Sequence, residues 1–315
     1  MRPDAPPVEG ALVVFAPSLM LTVTIEQDPT GEPELHIHAG GQGLWVARMA
    51  ASLGARVTLC SALGGESGQV LAGLLANEEI ELFSAVSAGA NGAYVHDRRD
   101  GERRSVVEIA GAPLSRHELD DLYGKTLMAA LDCGTLVLTG SRDRVVAREV
   151  YHRLALDARV NGVSVVADLT GEPLAGALAG GVTLLKISAE ALPRQDLLGN
   201  GRDDLHGAIA ELHRRGAQNV IISRAEAGAL ALVDDALVEV VGPRLTPADY
   251  HGAGDSMTAA AAVGIARGLS AGEWLRLATS AGAVNATRHG LGTGARAEIE
   301  QLAGRVEVRP LSSAL

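Results

Sequence analysis

Along the chain, short β-branched apolar runs alternate with longer stretches in which apolar residues recur every three or four positions. The runs RVTLCSAL near Arg56, TLVLTG near Thr135, SVVADL near Ser164, VTLLKI near Val182 and NVIIS near Asn219 are short and mostly apolar, with β-branched residues in each. A strand apolar on both faces must be covered on both, so these runs predict a parallel sheet between helices, joined as βαβ units. The periodic segments between them predict the helices. One spans about Gln42 to Leu53 and stops at Gly54; another spans about Asp203 to Arg215 and stops at Gly216. Both glycines stand where a left-handed residue is wanted to end a helix.

The N-terminal third carries a second pattern. Leu21 to Ile25, Leu35 to His38, Ala93 to His96 and Ser105 to Ile109 alternate with a two-residue period or have strand-like composition, and the turn formers DPTGEP and RRDGE separate them. They predict antiparallel strands of a small separate sheet. Two segments precede the first helix and two follow the second βα unit. The chain therefore leaves the main sheet twice, over about 18–40 and 90–110, to build one lid able to close over a ligand and exclude water. Residues 1–315 are expected to form a single α/β domain with that lid.

Composition narrows the picture. Of 315 residues, 47% are apolar but only 3% aromatic, so the core must be Ala, Leu, Val and Ile packed closely around many glycines. A net charge of −11 and the lack of any dense Lys/Arg run argue against nucleic acid as a partner. Cys60 and Cys133 have neither metal-ligand spacing nor nearby His partners and read as inert core thiols. The N-terminus MRPDAPPVEG has prolines and acids where a secretory signal needs an apolar stretch, and no run of about 18 apolar residues occurs; a cytoplasmic protein without membrane partners is expected.

The chemistry concentrates in HGAGDSMTAAAAVGIARG, from His251 to Gly268. Gly252, Ala253 and Gly254 have little or no side chain, so their amides can approach an anion closely, and the helix that follows adds its positive end. Asp255 stands at the same helix start, where a carboxylate beside a phosphoryl group can take a proton from an attacking hydroxyl. An aspartate that merely caps an ordinary helix would account equally for that residue and for one glycine.

GAGDSM, from Gly252 to Met257, together with the small-residue helix after it, resembles the C-terminal signature of ribokinase-like carbohydrate kinases of the phosphofructokinase B type. AGGQGLWVARMAASLGARVTLCSALGGESGQVLAGLL, from Ala39 to Leu75, resembles the N-terminal signature of the same family. Weaker likenesses are TGS at Thr139 to Ser141, IISRAEAGALAL near Ile221 and LRLATSAGAV near Leu275, so the resemblance spans nearly the whole chain. It is nearest the branch that holds fructose-1-phosphate and tagatose-6-phosphate kinases. What the resemblance implies is a Rossmann-like αβα domain with a β-sheet lid, ATP with Mg²⁺ as donor, transfer to a sugar hydroxyl, and a homodimer formed through the lid. By position it makes Asp255 the base and Gly252, Ala253 and Gly254 the anion hole. It places Lys186, Ser223, Arg224, Gly228, Thr279 and Gly282 around the nucleotide, and Met20, Gly40, Gly41, Gln42, Gly43, Trp45 and Asn91 around the acceptor. Lys186 as a solvated strand-end lysine, and Thr279 and Gly282 as helix-packing positions, are the plainer readings.

The chain departs from the family pattern chiefly on the acceptor side. Gln42 stands in the place of a lysine, Trp45 of an asparagine, Met20 of an aspartate, and Asn91 of an arginine common in the phosphosugar branch. A phosphate on the acceptor usually needs Arg or Lys in a charge-assisted pair, and these positions are neutral. Trp45 could stack on the apolar face of a ring or simply fill the core. On the donor side KISAEAL has Ser188 for an asparagine and Ala191 for a glutamate; Glu190, one residue away, is the substitute that could reach Mg²⁺ through water. Tyr250 replaces a threonine, and the EAG order at Glu226 to Gly228 is permuted. His36 and His38 alternate onto one lid face without ligand partners. Ser270 and Glu273 form a capping box. Two other functions stay open at this stage: a nucleotide- or sugar-binding protein on a catalytically weak or inactive kinase scaffold, and a nicotinamide-dependent enzyme, although no strand-G-x-G-x-x-G-helix opens the chain.

Overall fold

The computed structural model describes residues 10–140, 145–195, 204–243, 245–288 and 290–311. The five predicted runs all form strands, β4 (Arg56–Gly64), β8 (Thr135–Thr139), β9 (Ser164–Asp168), β10 (Val182–Ser188) and β11 (Ala217–Ser223), and they lie parallel in one sheet with β1 (Ala11–Ser18), which the runs named from the sequence do not include. With β5 (Glu81–Ser87) and the antiparallel edge β12 (Ala229–Val233), β13 (Ala236–Val241) and β14 (Glu307–Pro310), that sheet has ten strands in the order 14-13-12-11-10-9-8-1-4-5. The antiparallel edge is absent from the sequence reading, because ALALV and ALVEVV carry no helix between them to mark a crossover.

Helices cover both faces, as doubly apolar strands require. One layer holds α1 (Gln42–Ser52), α7 (Ala253–Ala266), α8 (Ala271–Ala286) and α9 (Arg296–Ala303) over a core that includes Leu12, Leu44, Met49 and Leu59. The other holds α3 (Arg116–Cys133), α4 (Arg148–Val160), α5 (Gly171–Gly180) and α6 (Leu205–Arg214) over Phe15, Leu138, Tyr151 and Leu212. Aromatics are scarce, so closeness substitutes for bulk: the α7 run from Ala259 to Val263 is fully buried, and a Cβ on Gly264 would lie 2.4 Å from Cβ of Trp274. α1 ends one residue before the expected Leu53, with Gly54 at φ 89°. α6 starts at Leu205 with Asp204 as its N-cap and Gly216 at φ 123°; the expected start at Asp203 lies outside the described residues. Ser270 and Glu273 form the predicted box at the start of α8. Cys60 is buried, and its thiol is pushed up to about 12 by that burial; Cys133, at the end of α3, is partly buried and packs against the rim of the second core, and burial raises its thiol too.

The second sheet is β2 (Met20–Gln27), β3 (Pro33–Gly40), β6 (Gly92–Asp97) and β7 (Arg104–Ile109), in the order 3-2-6-7. Its strands occur where alternation predicts them, but the pairing differs from the expectation. β2–β3 and β6–β7 are antiparallel hairpins, whereas the inner pair β2–β6 runs parallel, Met20 opposite Gly92 through Ile25 opposite Asp97. The hairpins follow β1 and β5, which run in the same direction in the main sheet, so their first strands point the same way. Thr22, Thr24, His36, His38, Tyr94 and His96 share one face by this register, and Leu35, Ile37, Val107 and Ile109 share the other. α2 (Gly65–Leu75) packs on the base of this sheet, where Ala39 enters the core.

Candidate active site

The parallel strands β8, β9, β10 and β11 all end on one side of the sheet, where open α/β folds form their clefts. α7 begins on that side with the glycine turn. Gly252 is its N-cap at φ 76°, in the left-handed region where a side chain is strained. The turn is clamped by Asn285 of α8, which is fully buried. Its Nδ2 donates to the His251 carbonyl at 2.8 Å, and its Oδ1 accepts from the amides of Gly292 at 3.0 Å and Thr293 at 3.3 Å. Gly282, on the same helix, permits the approach, since a Cβ there would lie 3.0 Å from the Ala253 carbonyl. Asn285 is not among the residues singled out from the sequence; its only signal was one amide in the apolar, small-residue second half of α8.

Asp255 is the third helical residue rather than the cap, so it occupies the turn in which amides lack intrahelical partners. The Ala253 amide bonds the Tyr250 carbonyl at 3.3 Å, while those of Gly252, Gly254 and Asp255 form no turn or cap bond to backbone among the described residues. Positive helix-end potential and free amides therefore coincide beside a carboxylate.

That carboxylate sits in a built environment. Burial pushes its pKa up from the ordinary range to about 7, and the nearby Asp168 charge pushes the same way; Lys186 and a hydrogen bond from Gln42 oppose them. Part of the residue still reaches solvent, so a substrate has access. Lys186, two residues before the end of β10, is 5% exposed and donates to Asp168 Oδ2 at 3.1 Å. It is therefore an internally paired lysine, not a solvated one. Gly254 makes room for it: a Cβ there would lie 2.4 Å from Lys186 Nζ. Thr258, one turn further along α7, donates to the same Asp168 oxygen at 2.7 Å. Asp168 was not among the residues singled out from sequence, because SVVADL reads as an ordinary strand end.

Gln42, the first residue of α1, ties the acceptor side to this cluster. Its Oε1 accepts from the Gly140 amide at 3.1 Å and its Nε2 donates to the Asp168 carbonyl at 3.3 Å. The glycines around it have geometric roles. Gly41, at φ 118°, turns the chain from lid into helix. A Cβ on Gly43 would lie 2.3 Å from Cβ of Ala16, and one on Gly40 2.8 Å from Thr22 Oγ1. Trp45 is half-buried and lies outside both apolar cores, its backbone against Gly292. Met20 opens β2, partly exposed, between Gly40 and Gly92. Asn91 differs from the expectation. Its Oδ1 accepts from Gly64 N at 2.9 Å and its Nδ2 donates to the carbonyls of Ala62 at 3.0 Å and Leu19 at 3.3 Å, so the amide braces the lid hinge instead of facing a ligand.

The remaining nucleotide-side residues flank the cluster. Ser223 ends β11 opposite Ser188, two residues beyond Lys186. The Arg224 guanidinium pairs with Glu239 at 2.9 Å and with the Ala227 carbonyl, and Gly228, at φ 80°, lets β12 turn back under it. Thr279 is buried on α8 beside Gly242. The Tyr250 hydroxyl donates to Glu226, linking the loop after β11 to the glycine turn. Glu190 is exposed in the 3₁₀ turn that follows β10. Among the described residues no three His, Cys, Asp or Glu side chains are grouped to hold a metal ion, and no helix is long and apolar enough to cross a membrane.

The pfkB family of carbohydrate kinases matches residues 16–298. The chain is 30% identical over 290 residues to the ATP-dependent 6-phosphofructokinase isozyme 2 of Escherichia coli K12, covering 88% of this chain and 92% of that one. It is 24% identical over 308 residues to the 1-phosphofructokinase of Vibrio cholerae, covering 95% and 96%. The crystal structure of Escherichia coli phosphofructokinase-2 in complex with fructose-6-phosphate superposes with a TM-score of 0.77 at 28% identity, covering 95% of this chain and 99% of that chain. A buried carboxylate at a glycine-rich helix start, a lid, and a family match over most of the length lead to one conclusion: the chain belongs to the pfkB family of carbohydrate kinases and phosphorylates a sugar at the expense of ATP.

Proposed function

We propose that Asp255 is the general base of this kinase and that the acceptor is an uncharged sugar or sugar-like polyol. The observation that carries the first half is the setting of Asp255, a carboxylate of raised proton affinity in the first turn of a helix opened by a glycine turn. A base that holds its proton near neutrality both takes it from the acceptor hydroxyl and releases it afterwards. As that oxygen attacks the terminal phosphorus of ATP and the bond to ADP breaks, charge gathers on the transferred group, and the amides of Gly252 and Gly254 stabilise it, while Ala253, its amide bonded to the Tyr250 carbonyl, shapes the turn between them. Lys186 keeps the floor of the site neutral by pairing with Asp168. Ser223, Arg224 and Gly228 border the phosphates and ribose, and Thr279 and Gly282 the adenine. Divalent magnesium is usually held by substrate phosphates, water and few carboxylates, and Glu190 would meet it through water. The lid excludes water, and the reaction takes place in the cytoplasm.

The second half rests on charge. Gln42 presents an amide where a phosphosugar kinase carries a cation, Asn91 is occupied at the hinge, and the Arg48 guanidinium of α1 is bound bidentate to Glu78. Gln42, Trp45 and Met20 then face a neutral ring, with Gly40, Gly41 and Gly43 shaping the wall. Two lids are proposed to pair into a homodimer through the apolar lid face.

The test is ATP turnover with fructose, tagatose, ribose, fructose 6-phosphate and fructose 1-phosphate in parallel. Turnover of a free sugar, lost by at least about 10³-fold in Asp255→Asn, is the expected outcome. Activity that survives the substitution overturns the base, and preference for a phosphosugar overturns the neutral acceptor.

A further inference from the structure

The mechanism above uses Asp255, yet the most heavily connected carboxylate in the cleft is Asp168. One oxygen, Oδ2, accepts from Lys186 Nζ at 3.1 Å and from Thr258 Oγ1 at 2.7 Å, and its main-chain carbonyl accepts from Gln42 Nε2 at 3.3 Å. Side chains from α7, β10 and α1 thus meet on the last residue of β9. Thr258 is fully buried, and its hydroxyl also lies 3.1 Å from the Gly254 carbonyl. A hydroxyl has one proton to give, and the shorter contact to a charged acceptor takes it. Thr258 stands three residues after Asp255 on the same helix, so this bond fixes the helix carrying the base to the strand carrying its charged neighbour.

We propose that Thr258 is a positioning residue for phosphoryl transfer: by holding the Asp168 carboxylate, it fixes the two charges, Asp168 and Lys186, between which Asp255 works. The inference rests on Asp255 being the base. The groups that face Asp255 are Asp168 from β9, Lys186 from β10 and the Gln42 amide from α1; His251, paired with Asp249, is exposed on the turn. Removing the hydroxyl leaves the Asp168 charge less neutralised and more repulsive to a second carboxylate, which raises the proton affinity of Asp255. Removing the Asp168 charge does the reverse. A threonine that merely fills space would move neither.

Thr258→Val keeps the shape, Thr258→Ser restores the hydroxyl, and Asp168→Asn removes the charge. Each is made with and without Asp255→Asn, and unfolding midpoints are followed from pH 5 to 8. The difference between each pair isolates the titration of Asp255 and needs no acceptor. The expected midpoint of that titration moves to higher pH in Thr258→Val, to lower pH in Asp168→Asn, and stays in place in Thr258→Ser. With ATP and the fastest sugar of the panel, kcat falls roughly ten-fold in Thr258→Val, KM changes little, and serine restores the rate. If the titration midpoint is the same in Thr258→Val and wild type, or if serine fails to restore kcat, the inference is overturned. If Asp255→Asn itself stays active, the base assignment fails instead, and the two failures are told apart.

Discussion

The Lys186 ammonium occupies the space in which a side chain on Gly254 would begin: a Cβ there would lie 2.4 Å from Nζ. The second glycine of the turn thus serves the buried Lys186–Asp168 pair and not a special backbone conformation. Gly254→Ala is expected to displace the ammonium, because the end of a lysine side chain moves more easily than a helix. The Asp168 charge would then face Asp255 without its partner. Since Gly254 has ordinary helical geometry, the fold survives. Kinetics should show kcat lowered by roughly 10²-fold with an unfolding midpoint within about 2 °C of wild type; an unchanged kcat would show that Lys186 plays no part.

Asp255 has a cost for the fold that its role explains. Its proton affinity is raised in the folded chain, so the folded state holds more protons than the unfolded one between the ordinary carboxylate pKa and about 7. Stability contributed by the protonated group is present at low pH and is lost as pH rises through that window. Asp255→Asn removes the titration. The variant should be inactive yet melt higher than wild type at pH 7.5, by roughly 2 °C or more, with the gap closing towards pH 5. A variant that melts lower at pH 7.5 would place the carboxylate among stabilising rather than functional groups.

Much of this was readable from the chain. Runs apolar on both faces identified the parallel strands, because only a doubly covered sheet tolerates them, and Gly54 and Gly216 marked two helix ends. GAGDSM announced the helix start and its carboxylate. Pairing that depends on distant segments was not readable. The parallel contact of Leu21 with Ala93 joins residues whose alternation says nothing about direction. Asp168 and Thr258 are ninety positions apart, and neither SVVADL nor SMTAAAA hints at the other. Asn91, which position alone set beside the acceptor, proved to be drawn to three backbone groups at the hinge, a demand no local pattern records.

The lid contains a pH-sensitive element. His96 is 2% exposed, its Nε2 lies 3.0 Å from Thr24 Oγ1, its ring stacks on Tyr94, and its Nδ1 has no hydrogen-bond partner among the described residues. Burial first, then the nearby Arg103 and Arg98, lower its pKa to about 4. The folded lid therefore holds the neutral ring, and its stability is present above the ordinary histidine pKa and lost as pH falls towards 4. Amide exchange in β2 and β6, corrected for the intrinsic effect of pH, should show protection falling between pH 7 and 5 in wild type. The fall should be smaller in His96→Gln, which keeps a partner for Thr24 but does not titrate. Equal losses in the two proteins would exclude this histidine as the cause.

The opposite lid face bears on assembly. Leu35 is 58% exposed, Ile109 55%, Ile37 43% and Val107 43%, an apolar group on one side of a sheet whose other side is polar. Exposed apolar area of this kind marks a contact surface, and a second copy of the same lid offers a matching one. A chain of 32.4 kDa should then sediment with twice that mass. Changing Ile37 and Val107 to lysine would bury four like charges in the pair, two from each copy, and should yield monomers that keep the main-domain fold. ATP-dependent activity separates two roles for the contact. If the monomer retains full kcat, the pairing only stabilises the lid; if kcat falls while the far-ultraviolet spectrum is unchanged, closure over the cleft depends on the partner. A wild-type chain that sediments as a monomer at micromolar concentration would remove the lid face as an interface altogether.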